Sequence, residues 1–200
     1  MQLFISPTSP YARKAQLVVM EKGLADQVEI KPVIPWDNPL ELTVNNPLSQ
    51  VPVLVLDNGE SLFDSRVICA YLDQLVDEPQ LIPPSGFERI RVLRMEALAD
   101  GMTDAAVATF FARRDNGDNL DTPAIERQIN KIYAALDLMQ KGLGDFAGQH
   151  NLGTIACGAA LSYLDLRYGE LEWRKRVPQL AGWFEDIDKH PAMIATAPVV

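Results

Sequence analysis

The run Val51-Pro52-Val53-Leu54-Val55-Leu56 constrains the fold more than any other stretch of this chain. Its apolar density reads as a buried strand. Proline has no N–H for a sheet ladder, so Pro52 belongs at the first residue of that strand or just before it. A Val-Pro bond in so tight a turn is a candidate cis peptide, which would swing the Val51 backbone off the sheet toward solvent. An exposed N–H and C=O beside a strand can grip an extended peptide by strand addition. Asp64-Ser65 stand where a helix should begin, with Val67, Ile68, Ala70, Tyr71, Leu72 and Leu75 to follow. A helix start attracts anions through its free N–H groups and positive dipole end. The segment thus offers a backbone clamp, an anion seat and a carboxylate for an amine. These are grips for a small, extended, zwitterionic peptide.

Composition narrows the partners. A chain of 200 residues with 48% apolar and 22% charged side chains can bury a sizeable core, as one large domain or two small ones. A formal net charge of -9 repels nucleic acid and anionic membranes, so neither is an expected partner. Cys69 and Cys157 sit in helix-like apolar segments without a CxxC pair. That fits a reducing, cytoplasmic setting and excludes a disulfide scaffold or a dithiol motif. The amino terminus lacks the basic and long apolar regions of a signal peptide. No apolar run is long enough to span a membrane. His150 and His190 lack metal-ligand spacing and read as surface or helix-end residues, so no metal is expected.

Residues 1–76 alternate strand and helix signals in the order βαβαββα. Leu3-Phe4-Ile5 is a short strand. Ser9-Pro10 is an N-cap followed by proline at the first helical position. That helix stops at Gly23. Residues 28–33 alternate as a strand, and Asn45-Asn46-Pro47 ends a short helix. Asp57-Asn58-Gly59 is a hairpin turn between the strand of residues 53–56 and the strand starting at Ser61. Residues 77–88 hold three prolines and a glycine and read as a linker. Residues 89–200 read as all-helical. Residues 90–111 make one long pattern, and Ile125, Ile129, Ile132, Leu136 and Met139 mark an amphipathic helix. Residues 155–167 are rich in small residues and read as a helix buried on most sides. The fold class is α/β plus all-α.

Four motifs, in this order, carry a family resemblance: Ser-Pro-Tyr-Ala-Arg-Lys (9–14), Asn-Pro-Leu-Ser-Gln-Val-Pro-Val-Leu (46–54), Phe-Asp-Ser-Arg-Val-Ile (63–68) and Asn-Leu-Gly-Thr-Ile-Ala (151–156). With them the chain resembles the soluble glutathione transferases over nearly its whole length. It looks most like bacterial members that use a serine near the first helix, as the theta, zeta and tau classes do. The resemblance implies a thioredoxin-like amino-terminal domain with a cis-proline and an all-helical second domain. It implies a cytoplasmic homodimer that takes glutathione as co-substrate, holds no tightly bound cofactor, and conjugates glutathione to a hydrophobic small molecule.

The resemblance also assigns roles. Ser9 is the activating serine, with Thr8 and Ser6 as neighbouring hydroxyls. A thiol of pKa about 8.5 is mostly protonated at neutral pH, and a donated hydrogen bond favours the thiolate. Ser9 is equally an ordinary helix cap, and both readings can hold, since a cap uses the oxygen and a thiolate uses the proton. Val51 clamps the cysteinyl backbone. Asp64, where the family more often has glutamate, holds the γ-glutamyl ammonium, and Ser65 holds its carboxylate. Gln50 stands where many relatives have lysine facing the glycyl carboxylate, and Ile34 where the family makes a backbone contact. The second-substrate pocket is expected between the domains near Ser9, lined by Tyr11, Trp36, Met102, Ala106, Phe110 and Arg113. Asp100 or Asp104 could reach glutathione across a dimer. Asn151 with Thr154 replaces the usual capping box, threonine reaching back less effectively than a carboxylate. Two rival functions share these residues: a binding or regulatory protein with little catalysis, and a glutathione-dependent disulfide or peroxide reductase.

Overall fold

Four short strands make one mixed sheet: β1 (Gln2–Ile5), β2 (Glu29–Pro32), β3 (Val53–Val55) and β4 (Ser61–Leu62), ordered β2-β1-β3-β4. The structure is a computed structural model that describes residues 1–117 and 122–198. Pro52 lies just ahead of β3, where its missing N–H costs no ladder bond. β1 pairs with β2 in parallel and with β3 antiparallel, and β3 pairs antiparallel with β4. Edge strand β2 is largely exposed and carries Glu29, Lys31 and Pro32, which discourage edge-to-edge pairing. The 57–59 turn closes β3–β4 with Gly59 at φ 85, a conformation that favours glycine.

Both faces of the sheet are covered. Phe4 and Val53 are paired and pack with Val33 and Leu42, the last from the short helix α2 (Leu40–Thr43). By strand alternation the paired Leu3 and Leu54 point to the other face. That face belongs to α1 (Pro10–Glu21) and α3 (Ser65–Gln74), which pack on each other and on β1 and β3. α1 ends in Lys22, with Gly23 just beyond at φ 66, the left-handed stop that its sequence signals.

The chain divides into two compact units, Met1–Ser85 with the chain from Pro191 on, and Gly86–His190. This differs from the sequence boundaries in two places. Much of the proline-rich segment belongs to the first unit, because Leu81 and Ile82 are buried there. Their N–H groups donate to the two Asp73 carboxylate oxygens at 2.9 Å each. Asp73 also takes the buried Lys22 ammonium at 3.1 Å, and that ammonium binds the Val76 and Pro79 carbonyls at 2.5 and 2.6 Å. The last helix also joins the first unit. There the Arg13 guanidinium, buried in α1, donates to the Met193 carbonyl at 2.8 Å.

The second unit is helical: α4 (Gly86–Asn116), α5 (Pro123–Lys141), α6 (Leu143–Phe146), α7 (Leu152–Arg167), α8 (Trp173–Arg176) and α9 (Pro178–Ile187). α10 (Pro191–Ala195) is the helix held by Arg13. Residues 152–164 of α7 are buried on every side, as a nearly uncharged, small-residue helix should be. Gly153 lets α7 approach α4 closely: a Cβ there would lie 2.9 Å from Met95 Cβ and 3.0 Å from the Val92 carbonyl oxygen. The α7 cap closes more fully than the residue types suggest. Asn151 Oδ1 accepts the Thr154 N–H, and Thr154 Oγ1 accepts the Asn151 N–H, both at 3.1 Å. The hydroxyl also donates to the Asn151 carbonyl at 2.9 Å, so threonine reaches back both as acceptor and as donor. Among the described residues no helix is long and apolar enough to cross a membrane.

Candidate functional site

Strand direction gathers five of the candidate residues at one end of the sheet. Ile5 of β1 lies beside Pro32 of β2, and β4 runs opposite to β3. The carboxyl ends of β1, β2 and β4 therefore meet the amino end of β3. Ser9, Ile34, Val51, Asp64 and Ser65 all follow or precede those ends by a few residues. The β3–β4 register pairs Leu54 with Leu62 and Val55 with Ser61, so its continuation would set Val51 opposite Ser65. The chain instead turns into α3 at Ser65. α1 and α3 both start here, so two positive helix ends share this rim.

Each residue then has its own chemistry. Ser9 caps α1: its Oγ accepts the Ala12 N–H at 3.2 Å. That bond uses an oxygen lone pair and leaves the hydroxyl proton to donate. The Val51–Pro52 peptide bond is cis. Val51 precedes the ladder, and among the described residues neither its N–H nor its C=O has a hydrogen-bond partner. Asp64 is the exposed N-cap of α3, with Oδ1 accepting the Arg66 N–H at 2.9 Å. Ser65, the first residue of α3, is buried at 3% exposure. Ile34 is exposed, and its carbonyl accepts the Asp37 N–H at 3.1 Å. Gln50 is exposed and its backbone is braced from behind.

That brace is Asn46, which the sequence places at the end of the short helix and at the opening of the 46–54 motif. It is buried at 2% exposure. Its Nδ2 donates to the Gln50 carbonyl at 2.9 Å, and its Oδ1 accepts the Leu48 N–H at 3.0 Å. Asn46 thus fixes the loop that presents Val51. The signal was present in the Asn-Pro pair, since asparagine side chains readily bond the backbone two residues on.

The six second-substrate candidates are not gathered in one unit. Tyr11, half-buried, and Trp36, exposed, belong to the first unit. Met102, Ala106, Phe110 and Arg113 are on α4. Met102 and Ala106 are buried at 1% and 0%, and the Ala106 carbonyl accepts the Tyr168 hydroxyl. A small molecule would reach those two only by displacing their neighbours. Phe110 and Arg113 keep some exposure. Of the acidic alternatives, Asp100 is buried and Asp104 exposed.

Neither cysteine is placed to act as a nucleophile. Both are fully buried, and burial, with a smaller push from the Asp100 charge, raises the Cys157 thiol to about 12. The two histidines, separate in sequence, are neighbours in space with ring centroids 5.8 Å apart. Among the described residues no three His, Cys, Asp or Glu side chains cluster as metal ligands would.

Comparison with known proteins matches the glutathione S-transferase N-terminal domain family over residues 3–80 and the glutathione S-transferase C-terminal domain family over residues 122–186. The uncharacterized GST-like protein YibF of Escherichia coli is 32% identical over 201 residues, spanning 99% of this chain and 98% of that protein. A glutathione transferase family member from Pseudomonas fluorescens Pf-5 with bound glutathione is 38% identical, with a TM-score of 0.91 over 100% of this chain and 99% of that one. The same relative with bound S-(propanoic acid)-glutathione superposes with a TM-score of 0.87, at 38% identity over the whole of both chains.

Proposed function

Because this chain belongs to the glutathione S-transferase family, we propose that it binds glutathione at the rim of its amino-terminal sheet and transfers the thiolate to a small electrophile. The observation that carries this reading is the Val51 backbone, whose N–H and C=O beside a strand end are unpaired among the described residues. Unpaired main-chain groups cost free energy when desolvated, and an extended peptide laid alongside would satisfy both. The cysteinyl backbone of glutathione is that peptide. Ser65 and the α3 N-terminus receive the γ-glutamyl carboxylate, and the free oxygen of Asp64 receives its ammonium. Ser9 donates its proton to the sulfur, while the positive end of α1 adds to the same stabilisation. One to two units of thiol pKa need about 1.4–2.7 kcal/mol, within reach of one hydrogen bond to a charged acceptor. The rest of the catalysis is orientation.

The electrophile's side of the reading rests on Phe110 and Arg113, the α4 candidates that keep exposure. The relative that holds a propanoic acid on the glutathione sulfur supports an acceptor with a polar end. A homodimer belongs to the same reading, and light scattering should then return twice the 22.2 kDa chain mass. Burial of both cysteines speaks against a thiol-based reductase. Binding with little turnover is the second reading, favoured because Gln50 brings no charge to the glycyl carboxylate and one oxygen of Asp64 is already spent on its cap. Calorimetric titration with glutathione, followed by turnover of an aryl halide, separates the readings. Heat of binding with turnover supports transfer, heat without turnover across a broad acceptor panel supports the binding protein, and no heat at millimolar glutathione overturns both.

A further inference from the structure

Two arginines in the helical unit hold buried N–H groups that find no hydrogen-bond partner among the described residues. Arg113 lies on the last turns of α4 and Arg167 ends α7. Arg113 Nη1 binds Glu170 at 2.6 Å, and its guanidinium sits 4.9 Å over the Tyr168 ring. The Arg167 guanidinium sits 4.6 Å over the Phe110 ring. The Nε of each is buried and has no hydrogen-bond partner among the described residues. Both cations act on the buried Tyr168, and Arg167 also acts on Tyr163, so they share one aromatic junction.

Ordinary helix-end arginines extend into water or spend their donors on carbonyls. These two are stacked on rings. Glu170 is exposed and pairs with Arg113, so these three groups together carry one positive charge. An unspent donor on a buried cation is costly, unless a ligand supplies the acceptor. A carboxylate fits best. It brings one negative charge and two acceptor oxygens, and guanidinium N–H groups match its plane. The aromatic walls suit a flat or unsaturated body attached to it.

We propose that Arg113 and Arg167 form a seat for an organic carboxylate on the helical unit. The seat is argued from the helical unit alone, and the same ligand also tests the transferase reading. With a chloronitrobenzoate, sulfur forms a bond to the ring carbon, chloride leaves with the bonding pair, and the thiol proton goes to solvent. No oxidant or reductant takes part.

The test compares a chloronitrobenzoate with its methyl ester, the same body without the charge. Fluorescence titration of the parent protein should show the acid binding at least tenfold more tightly than the ester, and equal affinity overturns the seat. Arg113→Met and Arg167→Met keep the stem on its ring and remove the donors. Each should weaken the acid roughly 10- to 100-fold, and the loss should exceed that for the ester at least tenfold. Equal losses for acid and ester mean packing alone, and they too overturn it. Arg113→Lys, which keeps charge but not the fork, should restore part of the acid affinity. Turnover is read separately. If acid, ester and the broad acceptor panel all fail to react with glutathione, the transferase reading falls, while the binding ratio still decides the seat. If the ester reacts and the acid shows no preference in binding, the seat falls and the transferase stands. Selective acid binding lost on both substitutions upholds the seat, whereas an unchanged ratio assigns the two N–H groups to water.

Discussion

Ser9→Ala and Ser9→Gly should damage the bound thiol equally and the fold unequally. The hydroxyl does two things in our reading. Its oxygen caps α1 through the 3.2 Å bond from Ala12, and its proton meets the glutathione sulfur. Alanine loses both and should lower stability by about 1 kcal/mol, the usual value of such a cap, whereas glycine costs only a few tenths. Either substitution removes the same donor to sulfur. A hydrogen bond to a charged acceptor is worth about 1.5–3 kcal/mol, and each pKa unit is about 1.4 kcal/mol. The thiol pKa of bound glutathione should therefore rise by about one to two units in both variants. The thiolate fraction at neutral pH, and turnover with it, should fall roughly 10- to 100-fold. Glutathione affinity should barely change, because the backbone clamp at Val51 and the α3 terminus are untouched. Ultraviolet absorbance of the bound thiolate against pH gives the pKa, and urea denaturation gives the stability. A bound-thiol pKa that is the same in the parent and both variants, with glutathione still bound, would refute the role of Ser9. An equal stability loss for alanine and glycine would refute the cap.

Other substitutions probe what holds the site in place. Lys22→Met leaves Asp73 buried without its cation and should cost about 3–5 kcal/mol in urea denaturation, since the Lys22 side chain is 0% exposed. A loss under about 1 kcal/mol would show that the pair is solvated. Asn46→Ala unties the loop that presents Val51 and should weaken glutathione about tenfold by calorimetry, and an unchanged affinity would deny the brace. Burial raises Cys157 from its ordinary 9.0 to about 12, so between those values the unfolded chain binds fewer protons than the folded one. Stability should then fall as pH rises through that window, and the folded protein should resist alkylation at mildly alkaline pH. Rapid labelling of Cys157 without unfolding would contradict this.

The legible part of this fold was local. Pro52 marked the start of a strand, Ser9-Pro10 the opening of a helix, Gly23 a helix stop and Gly59 a hairpin turn, and the backbone adopts φ > 0 at both glycines. Those signals act over a few residues, so the order βαβαββα followed from them. The order then placed Ser9, Ile34, Val51, Asp64 and Ser65 at one end of the sheet. What was misjudged depended on distant partners. Leu81 and Ile82 looked like linker because prolines surround them, yet Asp73 collects their N–H groups. The last helix looked like part of the helical unit until Arg13 held it to α1.

The amino-acid sequence alone decided the strand and helix order, the caps and the loop ends that meet at one rim of the sheet, since each is set by backbone geometry and by neighbours along the chain. Tertiary structure alone decided which buried polar groups are satisfied. Asp73 found a cation and two amides, while one N–H on each of Arg113 and Arg167 found no acceptor among the described residues. Desolvation is a property of what surrounds an atom in space, and spacing along a chain does not contain it.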